Sequence, residues 1–149
     1  MYDWRNHSEA QRLIWALPLE TLWELAQFPL YTQWYENGWG YLLYGLAHCT
    51  GGDLLILILS YELIALLTRN RQWFTGRLHV TGPLFTLAGM LYTIYTEFTQ
   101  AGPAGVWEYT AQMPIVPWIG IGVAPVLQWL VLPPALLWLL RRREVRRLL

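Results

Sequence analysis

The chain has 149 residues, 55% of them hydrophobic, and its ten acidic and ten basic side chains cancel to a formal charge of zero. A neutral total gives no electrostatic reason to bind nucleic acid, so we expect no nucleic-acid partner. The single cysteine, Cys49, excludes an intramolecular disulfide and a CxxC motif. Length and apolar content together predict one domain that lies mostly in a membrane.

Four stretches of the sequence have the composition of membrane spans. They cover residues 13–31, 41–67, 80–99 and 115–140. A helix of about 20 apolar residues crosses the hydrocarbon core. The first stretch is the least apolar, because it contains Glu20, Glu24 and Gln27, and an amphipathic helix on the cytoplasmic surface is the alternative for it. We predict an all-α polytopic membrane protein with four transmembrane helices in one domain, residues 1–149.

The basic residues are all arginines, and the four predicted helices would place every one of them on the same side of the membrane. They are Arg5, Arg12, Arg69, Arg71, Arg77, Arg141, Arg142, Arg143, Arg146 and Arg147. The connections 32–40 and 100–114 contain no basic residue. Because basic residues in short loops stay in the cytoplasm, both termini are predicted to be cytoplasmic.

Ionisable and amide side chains inside the predicted helices indicate a functional site, since such groups are costly in lipid. Glu20, Glu24, Gln27 and Tyr31 follow a spacing that puts them on one stripe of the first helix. The topology places Glu20 and Glu62 nearer the cytoplasmic side. It places six other groups between the midplane and the outer surface: Glu24, Gln27, His48, Asp53, Glu97 and Gln128.

We interpret this convergence as an outward-opening polar pocket, capped by a loop that contains Trp107, Tyr109 and Met113. The pocket is predicted to bind a small hydrophobic or amphipathic, lipid-like ligand and to isomerise it by proton transfer. Glu24 and His48 are the candidate acid and base, because a carboxyl group beside a histidine in a dry site can exchange protons. The supporting groups would be Asp53 and Glu97 as electrostatic tuners and Gln27 and Gln128 as orienting donors.

No cofactor is predicted, because the sequence contains no P-loop, dinucleotide fingerprint, HExxH zinc helix or GxSxG elbow. One metal site is conceivable, formed by His48, Cys49, Asp53 and Met113. Histidine, cysteine and methionine together would suit copper. Their spacing is not that of a recognised metal motif.

Two segments resemble the EXPERA group of small membrane-helix bundles, which includes sterol isomerases. They are residues 23–31 (WELAQFPLY), followed by His48, and residues 128–139 (QWLVLPPALLWL). The resemblance implies a lipid-accessible cavity lined by Glu24, Gln27, His48 and Trp129, with a carboxylate–histidine proton shuttle.

The chain as a whole also resembles small four-helix bacterial inner-membrane proteins. This likeness is carried by residues 47–56 (AHCTGGDLLI), 92–98 (YTIYTEF), 107–114 (WEYTAQMP) and 122–134 (GVAPVLQWLVLPP). It implies the same topology and no particular chemistry.

Two other classes of function fit the same sequence. The chain could be a non-catalytic subunit of a larger membrane complex or a homo-oligomer. In that case its ten tryptophans would supply packing surface, and Glu62 would be neutralised by an arginine of a neighbouring protein. A small proton-coupled transporter is the third class, although four helices without an internal repeat offer no inverted pair.

Overall fold

The computed structural model describes residues 8–102 and 105–148, with side chains described within 13–102 and 105–143. All regular structure in these residues is helical, which confirms the all-α class. The α-helices are α1 (Ser8–Gln27), α2 (Gln33–Glu36), α3 (Trp39–Thr68), α4 (Leu78–Gln100) and α5 (Val123–Leu148). Short 3-10 turns lie at Phe28–Leu30 and Trp73–Thr75. The side chains of Arg5, Arg12, Arg146 and Arg147 lie outside the described residues.

The four long helices form a closed ring in which each packs against two others. Helix α1 contacts α3 and α5, and α4 contacts the same two helices. Therefore α1 lies diagonally opposite α4, and α3 lies diagonally opposite α5. We call the end where α1 and α4 stop and α3 and α5 start the cap end. The other end, which holds Arg69, Arg71 and Arg77 between α3 and α4, is the arginine end.

Two helices within the described part of the chain are long and apolar enough to cross a membrane, judged by length and composition. They are α3, with 30 residues, and the Val123–Arg143 part of α5, with 21. At about 1.5 Å per residue, α3 is about 45 Å long, which exceeds a hydrocarbon core of about 30 Å. Neither α1 nor α4 reaches the same apolar content.

The last long helix starts later than the sequence predicts. We expected it to begin at residue 115, but residues 115–122 form a tight turn before α5, closed by a bridge between Ile115 and Gly122. Trp118 and Gly120 in this turn have positive φ angles, at 67° and 72°. Pro117 explains part of the difference, since proline lacks an N–H and disfavours helical backbone before it.

Aromatic side chains fill the interior of the bundle towards the arginine end. Tyr61, Trp73, Phe74 and Phe85 are all buried, and the ring centroids of Tyr61 and Trp73 are 5.0 Å apart. The Tyr61 hydroxyl donates a hydrogen bond to the backbone carbonyl of Arg71, which ties the connection between α3 and α4 to the core. Apolar side chains fill most of this half of the interior, and the buried carboxyl and amide side chains lie in the other half.

The acidic side chain of Glu62 is paired within its own chain. The Nη2 atom of Arg71 lies 2.6 Å from Glu62 Oε2, near the surface of the arginine end. Glu62 therefore needs no arginine from a neighbouring protein to neutralise it.

Candidate functional site

Three carboxyl groups converge on one amide nitrogen in the interior of the bundle. Gln128 Nε2, on α5, lies 2.8 Å from Glu20 Oε2, 2.8 Å from Asp53 Oδ2 and 3.3 Å from Glu24 Oε1. Glu20, Glu24 and Gln128 are 2%, 6% and 3% exposed. We call Glu20, Glu24 and Asp53 the carboxyl cluster. Its members come from α1 and from the middle of α3, and Gln128 connects them to α5, so these contacts join three helices.

A series of hydrogen bonds from the Trp23 indole through the amides of Gln27 and Gln128 orients this cluster. Trp23 Nε1 donates to Gln27 Oε1 at 3.1 Å, and Gln27 Nε2 donates to Glu24 Oε1 at 2.6 Å and to Gln128 Oε1 at 3.3 Å. Because the Gln128 oxygen is taken by Gln27, its NH₂ group must face the carboxyl cluster. The i, i+4 and i, i+3 spacings of α1 bring Trp23, Gln27 and Glu24 together without any distortion of the helix.

The carboxyl groups of Glu24 and Asp53 both approach Gln128 Nε2, at 3.3 Å and 2.8 Å. The Gln128 amide has two hydrogens for three carboxyl groups, so it cannot satisfy all of them at once. Like-charged carboxyl groups at this separation resist simultaneous ionisation. The cluster is therefore suited to holding and releasing protons.

A fourth carboxyl group, Glu97 near the end of α4, fastens the loops of the cap end to the bundle. It accepts hydrogen bonds from the Tyr109 hydroxyl, from Trp107 Nε1 at 3.3 Å and from the Tyr31 hydroxyl at 3.5 Å. Backbone bonds join the same two loops, from Thr32 N to the carbonyl of residue 108 at 3.0 Å and from the amide of residue 110 to the carbonyl of residue 30 at 2.9 Å. We call residues 28–38 and 105–122 the cap.

Tyr109 acts in this arrangement as a neutral donor. Burial raises the pKa of its phenol above the ordinary value near 10, and the hydrogen bond that it donates to Glu97 raises this pKa further. The hydroxyl proton therefore stays in place at physiological pH and continues to bind the Glu97 carboxyl group.

A cavity of about 430 Å³ lies between α3 and α4 at the cap end, with α1 and α5 behind it. Its inner wall contains Glu24, Asp53 and Gln128, and Trp107 covers it from the cap. The exposed residues of its lining belong mainly to α3 and α4, so the cavity opens on the side of these two helices. Residues on that side that are exposed and line the cavity include Tyr41, Tyr44, His48, Cys49 and Tyr92.

Small residues of α3 create the space. Gly52 lines the cavity, and a Cβ atom added there would meet nothing within 4 Å. Cys49, one turn earlier, lines it as well. The lining that is described contains no lysine or arginine, so nothing basic from those residues faces the acidic wall.

The structure brings seven of the ten predicted site residues to this cavity. They are Glu24, Gln27, His48, Asp53, Glu97, Trp107 and Gln128. Tyr109 is not part of the lining but holds Glu97. Met113 and Trp129 lie elsewhere in the interior. Met113 is buried against Gly122, and the ring of Trp129 packs on Gly89 of α4, where any Cβ atom would overlap it.

Glu20 was not among the predicted site residues, although it belongs to the carboxyl cluster. The sequence does indicate that Glu20 lies beside Glu24, because the two residues are one helical turn apart on the same stripe of α1. The topology alone placed Glu20 nearer the cytoplasmic side. The axial register of α1 against α5 brings Gln128 level with Glu20, and that register depends on packing between helices.

The conceivable metal set is not assembled. Met113 lies against Gly122, away from the cavity that His48, Cys49 and Asp53 line. Among the side chains that are described, no group of three or more histidine, cysteine or acidic residues is arranged to hold a metal ion. The geometry therefore offers no support for a copper site.

These features define a class: an all-helical bundle with two helices suited to crossing a membrane and a polar cavity at one end. The chain matches no family model, no curated protein and no solved structure.

Proposed function

We propose that this chain is a four-helix integral membrane protein of the bacterial cytoplasmic membrane that binds a small amphipathic molecule in the cavity between α3 and α4. The proposed topology puts both termini and the arginine end in the cytoplasm and the cap outside. It is supported by the position of Arg69, Arg71 and Arg77, which follow α3 and lie at the end of the bundle away from the cavity.

The observation that carries the proposal is the combination of an open cavity with a buried acidic wall. Polar groups that serve only to join helices are satisfied by one another, and close packing leaves no space beside them. Here Glu24, Asp53 and Gln128 border a space of about 430 Å³, which is within the usual size range for a small-molecule site. An intramembrane ionisable group beside such a space is a site for a ligand or for protons.

The position of the opening supports an amphipathic ligand. Tyr41, Tyr44 and Tyr92 are 47%, 65% and 52% exposed on the sides of α3 and α4, where lipid would surround a membrane bundle. An apolar tail lying between these rings would remain in contact with lipid, while a polar group reached the inner wall. A ligand of this kind would gain access from the bilayer.

Two neighbouring glycines allow a matched test of the proposal. A Cβ atom at Gly51 or at Gly52 would meet nothing within 4 Å, but only Gly52 lines the cavity. Gly52→Leu should fill the space and Gly51→Leu should not, while both replace a mid-helix glycine with a good helix former. We would extract tagged wild type and both variants gently from their own membranes and examine them by native mass spectrometry.

We expect one small molecule per chain on the wild type and on Gly51→Leu, and none on Gly52→Leu. If the two variants retain the molecule equally, the assignment of the cavity as its site is wrong. A constant additional polypeptide in place of a small molecule would instead make the chain a subunit of a larger complex.

A second candidate function, proton transfer to a double bond of the bound molecule, is favoured by one further contact. Glu24 and Asp53 both contact Gln128 Nε2, and His48, which is exposed, lines the same cavity. Glu24 and His48 would act as acid and base on the ligand between them. Under this hypothesis Glu24→Gln should abolish conversion of the small molecule, as measured by the isomer composition of lipid extracts.

A further inference from the structure

The carboxyl cluster has more hydrogen-bond acceptors than the surrounding protein has donors. Glu20, Glu24 and Asp53 carry two oxygens each, and the donors that reach them are the NH₂ groups of Gln27 and Gln128. Gln128 offers two hydrogens to three carboxyl oxygens, and Gln27 also donates to Gln128. Glu24 and Asp53, two of these three residues, line the cavity.

The cap also contains a hydrogen-bond acceptor that has no donor among the described residues. Gln33 lines the cavity through a side chain whose nitrogen donates to the backbone carbonyl of residue 106 at 3.0 Å. Its Oε1 atom is buried and accepts no hydrogen bond from the residues that are described. A cavity bordered by unfilled acceptors is matched by a ligand that supplies hydrogen-bond donors or positive charge.

Charge and aromatic rings select the same kind of head group. The described lining contains carboxyl groups but no lysine or arginine, so an anionic head group would be repelled from the inner wall. Tyr41, Tyr44, Tyr92 and Trp107 surround the same space. The faces of such rings attract ammonium groups, and they do so more strongly when water is excluded.

We infer that the head group of the ligand is a positively charged nitrogen and that its binding is an exchange for protons held by the carboxyl cluster. This inference rests on the proposed function of the cavity. The exchange balances as follows: a neutral carboxyl group loses its proton to water, and the resulting carboxylate pairs with the incoming cation. No bond of the ligand forms or breaks.

Several titratable groups face this position and would share in the exchange. They are Glu20 and Glu24 from α1, Tyr31 from the cap, His48, Cys49 and Asp53 from α3, and Glu97 from α4. Glu97 already has three donors from the cap. We therefore assign the exchanged proton to the pair Glu24 and Asp53, which line the cavity and share the Gln128 nitrogen.

Isothermal titration calorimetry on the purified protein in lipid nanodiscs tests this inference with three probes of equal tail length. Octyltrimethylammonium is the cation, octanol the neutral probe and octyl sulfate the anion. The trimethylammonium group has no ionisable proton, so any proton released must come from the protein. Repeating the titration at pH 7 in phosphate and in Tris, whose ionisation heats differ, counts the protons, and Gly52→Leu measures the partition into lipid that is to be subtracted.

We expect one cation per chain, about one proton released, and affinity for the cation at least about tenfold above that for octanol. Asp53→Asn, which preserves the shape of the side chain, should weaken cation binding by about tenfold or more and abolish proton release. Gly51→Leu should behave as the wild type. If Asp53→Asn does not fold, Glu24→Gln makes the same test on the other member of the pair.

The two proposals fail separately. Cation binding without proton release, or equal affinity for octanol or octyl sulfate, would overturn the exchange and leave the proposed function intact. So would failure of all three probes while native mass spectrometry still finds a retained small molecule that Gly52→Leu removes. If neither experiment detects a molecule that depends on Gly52, both proposals are wrong.

Discussion

Gln128 and Asp53 form a hydrogen bond of 2.8 Å across the diagonal of the bundle, between helices that stand on opposite sides of the ring. Gln128 also reaches Glu20 on α1 at the same distance. A single amide therefore links α5 to both of the helices that border the carboxyl cluster. Because Glu20 and Gln128 are buried, loss of this link would leave their polar atoms without a partner and would alter the geometry of the cavity.

Replacing Gln128 with leucine should destabilise the bundle. The substitution keeps the approximate volume but leaves Glu20 Oε2 and Asp53 Oδ2 without their donor, and unsatisfied buried acceptors cost about 1–3 kcal/mol each. We expect a loss of about 2–4 kcal/mol in the free energy of unfolding, measured by thermal denaturation in a mild detergent. Leu130→Ala, half exposed on the same helix, is the control and should change stability by no more than about 0.5 kcal/mol. Equal effects of the two substitutions would refute the structural role of Gln128.

Gly89 is predicted to be intolerant of any side chain, because the ring of Trp129 occupies the position that a Cβ atom would take. Gly89→Ala should force Trp129, which is 1% exposed, to shift, at a cost of about 1–3 kcal/mol. Gly82→Ala on the same helix is the matched control. There the nearest atom to an added Cβ is 3.5 Å away, which is ordinary contact. Thermal denaturation of both variants distinguishes the sites, and a Gly89→Ala protein as stable as Gly82→Ala would contradict this packing.

The sequence predicts most of the helical framework, because the relevant signals are local. The stretch 41–67 corresponds closely to α3, Trp39–Thr68, since Gly38 before it and the polar residues after it limit the apolar run. The start of α5 was misplaced by eight residues, from 115 to Val123. Residues 115–122 are as apolar as a helix, and only their proline and glycine content indicates a turn.

The sequence predicts the kinds of residue in the candidate site better than it predicts which individual residues belong to the site. Polar residues in apolar helices stand out, and Glu24, His48 and Asp53 do line one cavity. Trp129 was included through a resemblance, and Met113 because it lies in the capping loop. Both are buried in apolar packing instead. Which large side chain fills a gap depends on the shapes of facing helices, and one sequence carries no local signal for that.

Removal of the Glu97 carboxyl group should loosen the cap without unfolding the bundle. Glu97→Ala deletes the acceptor for Tyr109, Trp107 and Tyr31, whereas the backbone bonds of the cap remain. We expect amide hydrogen exchange in residues 28–32 and 106–110 to accelerate by about tenfold or more, which corresponds to about 1.4 kcal/mol. Thr99→Ala is the control, because the Thr99 hydroxyl bonds only within its own helix. Unchanged exchange in Glu97→Ala would show that the backbone bonds suffice.

The hydrogen bond from Tyr109 to Glu97 also predicts how the cap responds to alkaline pH. The pKa of Tyr109 is raised above its ordinary value near 10 by burial and by this bond, so folding favours the neutral phenol. Its contribution to stability is therefore fully present below pH 10. That contribution is lost as the pH rises above 10 through the raised pKa, because the unfolded chain ionises first. Tyr109 is only partly shielded from solvent, so we discount the loss to at most about 1 kcal/mol at pH 11.

Thermal denaturation at pH 9 and pH 11 should show a larger loss of stability in the wild type than in Tyr109→Phe, the other eight tyrosines being common to both proteins. An identical loss in the two proteins would mean that the Tyr109 hydroxyl contributes nothing to holding the cap.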